Sequence, residues 1–339
     1  MSSKHATQII TQNATLSWQE ILANSVRDST QLCHLLKIDK QMLPENHPLL
    51  RHFPVRVPQP FLDRIEKGNP DDPLLLQIFP AMDEATEVPG YIKDPLHEAD
   101  SNPNPGILHK YEGRALLIAT SSCAVHCRYC FRRHFPYSDN PRGKKGWEES
   151  LEYIRADDSI REIIFSGGDP LTLPDSYLGW FLDTLNTITH ITRIRFHTRL
   201  PIMIPQRITQ SLCDILAKSR FRTILVLHSN HASEMDDHVD EACHKLSSSG
   251  VILLNQTVLL KNINDNGKTL AALSERLFAT GVMPYYLHLL DHVTGAAHFA
   301  VNEKDATSIH EELQSMLPGY LVPKLVREEH GKASKTVIM

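Results

Sequence analysis

From Arg114 onward the chain repeats one unit, a short apolar run rich in β-branched residues followed by a stretch of helical periodicity. Candidate strands fall at 115–120, 162–166, 191–197, 223–228, 251–257 and 283–290. Candidate helices lie between them at 147–156, 177–187, 206–219, 237–249 and 269–280, and one more follows at 303–316. Strands that alternate with helices pair in parallel, because each crossover helix returns the chain to the same end of the sheet. The expected fold is therefore α/β, a partial barrel of six βα units. Six units instead of eight leave a barrel open on one side, and periodicity alone is also compatible with an open, doubly wound sheet.

Residues able to do chemistry recur where each strand gives out. In order they are a cysteine array, Ser166-Gly167-Gly168-Asp169, His197-Thr198-Arg199, His228-Ser229-Asn230, Asn255-Gln256 within or beside the fifth strand, and Asp291. The C-terminal rim of a βα barrel brings such positions together, so the pattern predicts one shared site. Residues 1–110 read as a separate helical and irregular layer wrapped on the barrel. Ser17 followed by Glu20 is a capping-box pattern for a short helix, and proline-rich turns crowd 53–105. The barrel is expected over 111–300, and 301–339 holds the last helix and a tail.

The array is Cys123-x3-Cys127-x2-Cys130. Three thiolates are one short of the four protein ligands usual in electron-transfer clusters and structural zinc sites. A [4Fe–4S] cluster on three cysteines leaves one iron open to a non-protein ligand. Zinc completed by His126 or His134 also fits the spacing. A disulfide does not suit a chain with six cysteines in 339 residues and no stretch resembling a signal peptide. Cys33, Cys213 and Cys243 are scattered and read as packing residues. A net charge of −5 and a pI near 6.4 give no basic footprint for nucleic acid. No apolar run nears the roughly 20 residues of a membrane span, so a soluble cytoplasmic protein is expected.

Ser166-Gly167-Gly168-Asp169 ends a strand with two glycines, which let backbone groups approach a ligand with no Cβ between, although a tight turn needs the same residues. Arg132 and Arg133 follow the last cysteine. A guanidinium fork there suits the carboxylate of an amino-acid substrate, or an acidic neighbour within the protein. Lys324, Lys332 and Lys335 are ordinary tail lysines by position, and one of them also has the chemistry to anchor pyridoxal phosphate (PLP) covalently.

The array, with Tyr129 before its last cysteine, resembles that of the radical S-adenosylmethionine (SAM) enzymes, whose open iron chelates SAM. The likeness narrows further. Arg114, Cys123 to Arg133, Phe165 to Leu171, Asn255 to Leu260, and Pro284-Tyr285-Tyr286 leading to Asp291 resemble the lysine 2,3-aminomutase family over roughly residues 50 to 336. The resemblance implies a partial (β/α)6 barrel of radical SAM type. It implies a [4Fe–4S] cluster on Cys123, Cys127 and Cys130, SAM held by Ser166, Gly167, Gly168 and Asp169, and PLP as a further cofactor. It implies Lys335 as the PLP lysine, because Lys335-Thr336 has the threonine neighbour found in the family, with Lys332 second. Arg114 is implied for the PLP phosphate, Arg132 for the substrate carboxylate and Asp291 for the substrate ε-ammonium.

The implied reaction moves the α-amino group of L-lysine to the β-carbon through a 5′-deoxyadenosyl radical, with an electron from a reductant such as flavodoxin or ferredoxin. The chain most resembles the short bacterial branch whose β-lysine passes to an elongation factor P ligase. Two features depart from the long members of the family. Their glycine run before the PLP lysine is reduced here to Gly331, and Glu328 stands where they carry a second aspartate. A radical SAM mutase for another amino acid and a non-catalytic iron–sulfur or zinc module are the rival readings.

Overall fold

The computed structural model describes residues 16–43, 53–140 and 143–339. Nine strands form one sheet in sequence order: β1 (Ile107–Tyr111), β2 (Arg114–Thr120), β3 (Glu162–Gly167), β4 (Arg193–Thr198), β5 (Arg222–His228), β6 (Ile252–Val258), β7 (Met283–His288), β8 (Lys324–Arg327) and β9 (Thr336–Val337). Strands β2 to β8 run parallel, while β1 and β9 lie antiparallel to their neighbours at the two edges. Among the described residues β1 and β9 do not pair with each other. The barrel is partial, as six units required.

Two short helices, α1 (Trp18–Ala23) and α2 (Ser29–Leu36), precede the sheet. The longer connecting helices are α3 (Glu148–Ala156), α4 (Asp175–Asn186), α5 (Gln210–Lys218), α6 (Asp237–Ser248), α7 (Gly267–Ala279) and α8 (Glu303–Met316). Side chains of Thr209, Asp236, Asn266 and Asn302 accept hydrogen bonds from the first turns of α5, α6, α7 and α8, satisfying amides that lack an intrahelical partner. The cap at Thr209 explains the largest difference from the expected boundaries. The helix expected from residue 206 begins at Gln210, because Pro205–Arg207 forms a separate 3-10 turn.

Alternation along the strands separates core from cavity. Ile194 and Phe196 on β4, Leu225 and Leu227 on β5 and Leu253 on β6 are buried in the main core. Leu287 on β7 is buried in a second cluster under α7 and α8. The intervening Arg195, His197, His228, Gln256, Tyr286 and His288 line a cavity on the other face. Phe165 stacks on Phe196 at 4.8 Å between centroids and meets Phe181 of α4 edge-on at 5.3 Å, tying β3 and β4 to their helix.

The N-terminal layer has the expected capping box at Ser17 and Glu20, and its helices between 59 and 76 are only four residues long. An isolated bridge from Ile92 to Val293 beyond β7 and backbone hydrogen bonds such as Arg128 N to Gln77 O join it to the rest. Strands β1, β8 and β9 were not legible from periodicity. Strand β8 has four residues with only Leu325 and Val326 buried, too few to display a period of two. Among the described residues no helix is long and apolar enough to cross a membrane.

Candidate active site

The C-terminal ends of the strands open into a cavity of about 670 Å³, within the size range of small-molecule sites. Cys123, Cys127 and Cys130 line one end. Their loop is fixed to the glycine turn by backbone: Gly168 N donates to Thr120 O and Asp169 N to Ser122 O, each at 2.7 Å. A Cβ on Gly168 would lie 2.3 Å from Ser122 O, and Gly167, at φ +110°, would place one 2.6 Å from Thr120 O. These glycines therefore let the end of β3 lie against the chain entering the cysteine loop. Asp169 completes the turn. Its carboxylate accepts from Thr198 Oγ1 at 2.7 Å, Arg199 N at 2.7 Å and Leu171 N at 3.0 Å. Ser166 Oγ accepts from Arg132 Nη1 at 2.9 Å.

The arginines of the cysteine loop are held by two buried glutamates from the N-terminal layer, a pairing that sequence reading missed. Glu84 takes Arg128 through Nε at 2.7 Å and Nη2 at 2.5 Å, and also Arg133 Nη2 at 2.6 Å. Glu98 takes the Nε and Nη2 edge of Arg132 at 2.8 and 2.7 Å. The fork expected to meet a substrate carboxylate thus faces Glu98 on one edge and presents Nη1 on the other. Arg199 donates to Cys127 Sγ and Tyr129 Oη, both at 2.8 Å, and to Gln77 and Glu234. Nothing local in a proline-rich acidic segment distinguishes Glu84 or Glu98 from their exposed neighbours Asp83 and Glu87.

The opposite end is built by the tail. Pairing of Arg327 with Thr336 and Val326 with Val337 folds the chain back, so that Lys335 meets Glu328 at 2.5 Å. Lys332, on the connecting turn, is exposed, and Lys324 also lines the cavity. Glu328 also accepts from Lys110 of β1 at 3.3 Å. Burial alone would raise the Glu328 carboxyl, but Lys335 and Lys110 hold it down to about 2. Asp291 lies beyond β7 on the cavity wall. Burial, reinforced by Glu328, pushes its carboxyl up to about 7. Burial likewise keeps His197 and His288 well below the usual imidazole range and His228 down to about 3, so this wall is uncharged.

The residues fit the cofactors that the motifs imply. Burial raises the thiols of Cys123 and Cys130, the latter to about 11, and neighbouring thiols raise them further. Thiols raised in this way become thiolates on binding a cation, which iron supplies. The histidines weighed as zinc ligands face backbone: His126 Nδ1 lies 2.7 Å from Pro54 O and His134 Nε2 lies 3.3 Å from Thr294 O. For PLP, Arg114 lies over the Tyr111 ring at 4.6 Å and lines the cavity, and among the described residues no carboxylate pairs with it. Its guanidinium is open to a phosphate. His197 Nε2 and His288 Nε2 are buried polar atoms without a hydrogen-bond partner, facing the same space.

A parallel βα sheet whose rim joins a three-cysteine loop to a glycine turn is the arrangement of a radical SAM enzyme, and residues 117–273 match the Radical SAM superfamily. The narrower kinship comes from proteins similar along nearly the whole chain. L-lysine 2,3-aminomutase of Haemophilus influenzae is 49% identical, over 95% of this chain and 95% of its own. The enzyme of that name from Escherichia coli is 52% identical over 94% and 93%, and that from Clostridium subterminale 31% over 95% and 77%. The chain belongs to the L-lysine 2,3-aminomutase family.

Proposed function

We propose that this chain is an L-lysine 2,3-aminomutase, which shifts the α-amino group of L-lysine to the β-carbon. The observation that carries the reading is one cavity that gathers three thiols, the Lys335 amine and a set of charges matched to lysine. When bound, the cluster and SAM supply the 5′-deoxyadenosyl radical, and PLP supplies the carrier for the migrating amine.

The charge inventory favours a substrate with a cationic side chain. Lys110 and Lys335 are held by Glu328, and Arg132, held by Glu98 on one edge, keeps Nη1 on the cavity side for one carboxylate. Asp291 is the complement of one ammonium, and it ionises when that ammonium arrives. In this reading Arg132 Nη1 binds the substrate carboxylate and Asp291 the ε-ammonium. Lys335 is the PLP lysine, Arg114 holds the PLP phosphate, and Ser166 to Asp169 shape the SAM side. The closed walls exclude water and side-chain hydrogens from a reactive carbon. A glutamate mutase would need a cation where Asp291 stands.

Anaerobic reconstitution with iron, sulfide and PLP tests the function. SAM cleavage should depend on both dithionite and L-lysine and yield β-lysine. Cleavage driven equally well by glutamate or arginine would overturn the substrate, and a protein that binds iron yet never cleaves SAM would be a non-catalytic module. We extend the reading to a cytoplasmic role in which flavodoxin or ferredoxin reduces the cluster and the product goes to an elongation factor P ligase. Loss of the β-lysyl mass from elongation factor P on deletion of this chain's gene is the expected outcome.

A further inference from the structure

Glu98 is the least explained buried charge at the site. It is 4% exposed, comes from the irregular N-terminal layer, and touches neither the cysteines nor the tail lysine. Both of its oxygens meet Arg132, at 2.7 and 2.8 Å, in the bidentate geometry that fixes a guanidinium plane. Arg132 Nη1 is then directed to Ser166 Oγ at 2.9 Å, more distantly to Gly167 O at 3.4 Å, and to the cavity. Glu98 has a second cation, Lys110, at 3.8 Å, and Lys110 reaches Glu328 at 3.3 Å. Lys110 lies closer to Glu328 than to Glu98, so Arg132 is the chief partner of Glu98, and that pairing fixes which Arg132 nitrogen is left on the cavity side.

We propose that Glu98 is a positioning residue for recognition of the substrate carboxylate: it locks the Arg132 plane so that a single nitrogen, Nη1, is presented to the substrate. This rests on the assignment of Arg132 to the carboxylate. A freely rotating arginine, by contrast, would offer its fork to any anion entering the cavity and would carry the side-chain entropy of several rotamers. Substrates with a carboxylate feel the lock, and analogues without one do not.

The test uses the full-length holoenzyme, unreduced so that no turnover occurs, and measures calorimetric binding of L-lysine and of cadaverine, which is lysine without its carboxylate. Glu98→Gln should weaken lysine binding about tenfold, the scale of one charge-assisted contact, and leave cadaverine within about twofold. Under turnover the same variant should raise KM for lysine more than it lowers kcat. Glu98→Asp, which keeps the charge but withdraws it by one methylene, should fall between. It carries the test alone if Glu98→Gln is not recovered folded. Arg132→Lys is the control for the underlying assignment, with lysine binding weakened and cadaverine unchanged. If Arg132→Lys behaves so but the Glu98 variants bind lysine normally, the positioning role is overturned and the Arg132 assignment stands. If Arg132→Lys leaves lysine binding unchanged, the Arg132 assignment fails and the proposal with it. Equal weakening of lysine and cadaverine in the Glu98 variants assigns Glu98 to general structure and overturns the proposal.

Discussion

Asp291 is the residue whose charge state decides the pH response of the site. Its carboxyl, raised to about 7 by burial and by Glu328, is protonated below that pH and ionised above it. Only the ionised form is a counter-charge for a buried ammonium. Lysine affinity should therefore rise with pH through about 7 and fall by up to about tenfold per pH unit on the acid side. Asp291→Asn should weaken lysine binding by roughly 10- to 150-fold, the equivalent of about 1.5–3 kcal/mol, and flatten that pH profile. Calorimetric titration at several pH values measures both, and an unchanged profile would remove Asp291 from the substrate. Serine at Cys123, Cys127 or Cys130 should abolish SAM cleavage and lower retained iron, measured by cleavage assay and iron analysis. Cys33, Cys213 and Cys243 are buried in the main core, and serine at each should leave cleavage intact.

At the scale of elements, the N-terminal layer holds the cysteine loop in place through buried charge. Glu84, 3% exposed, is shared by two arginine side chains that are 0% exposed. Glu84→Ala would leave both guanidiniums without their carboxylate, and breaking a buried pair in this way costs about 3–5 kcal/mol. A urea titration should show the unfolding free energy lowered by that amount and the midpoint lowered in proportion. The hairpin of β8 and β9 acts similarly for Lys335. Borohydride reduction of the PLP-loaded protein followed by peptide mapping should label Lys335, and Lys335→Ala should lose the visible absorbance. A label on Lys332 or Lys324 would overturn the assignment of the tail. The difference in legibility between these elements is physical. The cysteine loop, the glycine turn and Asp291 follow long, regular strands, so their place on the rim could be read from strand ends. Glu84, Glu98 and Lys110 lie in an irregular layer or on a short edge strand, where no period reports which side chain turns inward. The glycines were legible as residues but not in their packing role, because the backbone they meet, Thr120 to Ser122, is brought to them only by the pairing of β2 with β3.

On the scale of the whole molecule, seven parallel strands in sequence order bring the cysteine loop, Gly167, Gly168, His197 to Arg199, His228, Gln256 and Asp291 to one cavity, so a reading of strand ends found part of the site. Ser229, Asn230 and Asn255 are not in the cavity lining: Ser229 and Asn255 bond each other, and Asn230 bonds Gln77 and Tyr129. What strand ends could not give was the closure. Among the described residues the first and last edges of the sheet are not joined by backbone, but the side chains of Lys110 on β1 and Glu328 beside β8 meet, and these residues stand 218 positions apart. A contact of that span forms only when both ends of the chain are in place, and the cysteine loop itself needs the chain as far as Phe299, whose ring meets Tyr129 edge-on at 6.2 Å. On a ribosome the residues that surround the cysteine loop are thus all synthesised before the tail that carries Lys335. The thiols and the amino-acid end are therefore separable by truncation. A chain cut short before Glu328 should retain iron, as iron analysis would show, while it loses the carboxylate that joins Lys110 to Lys335.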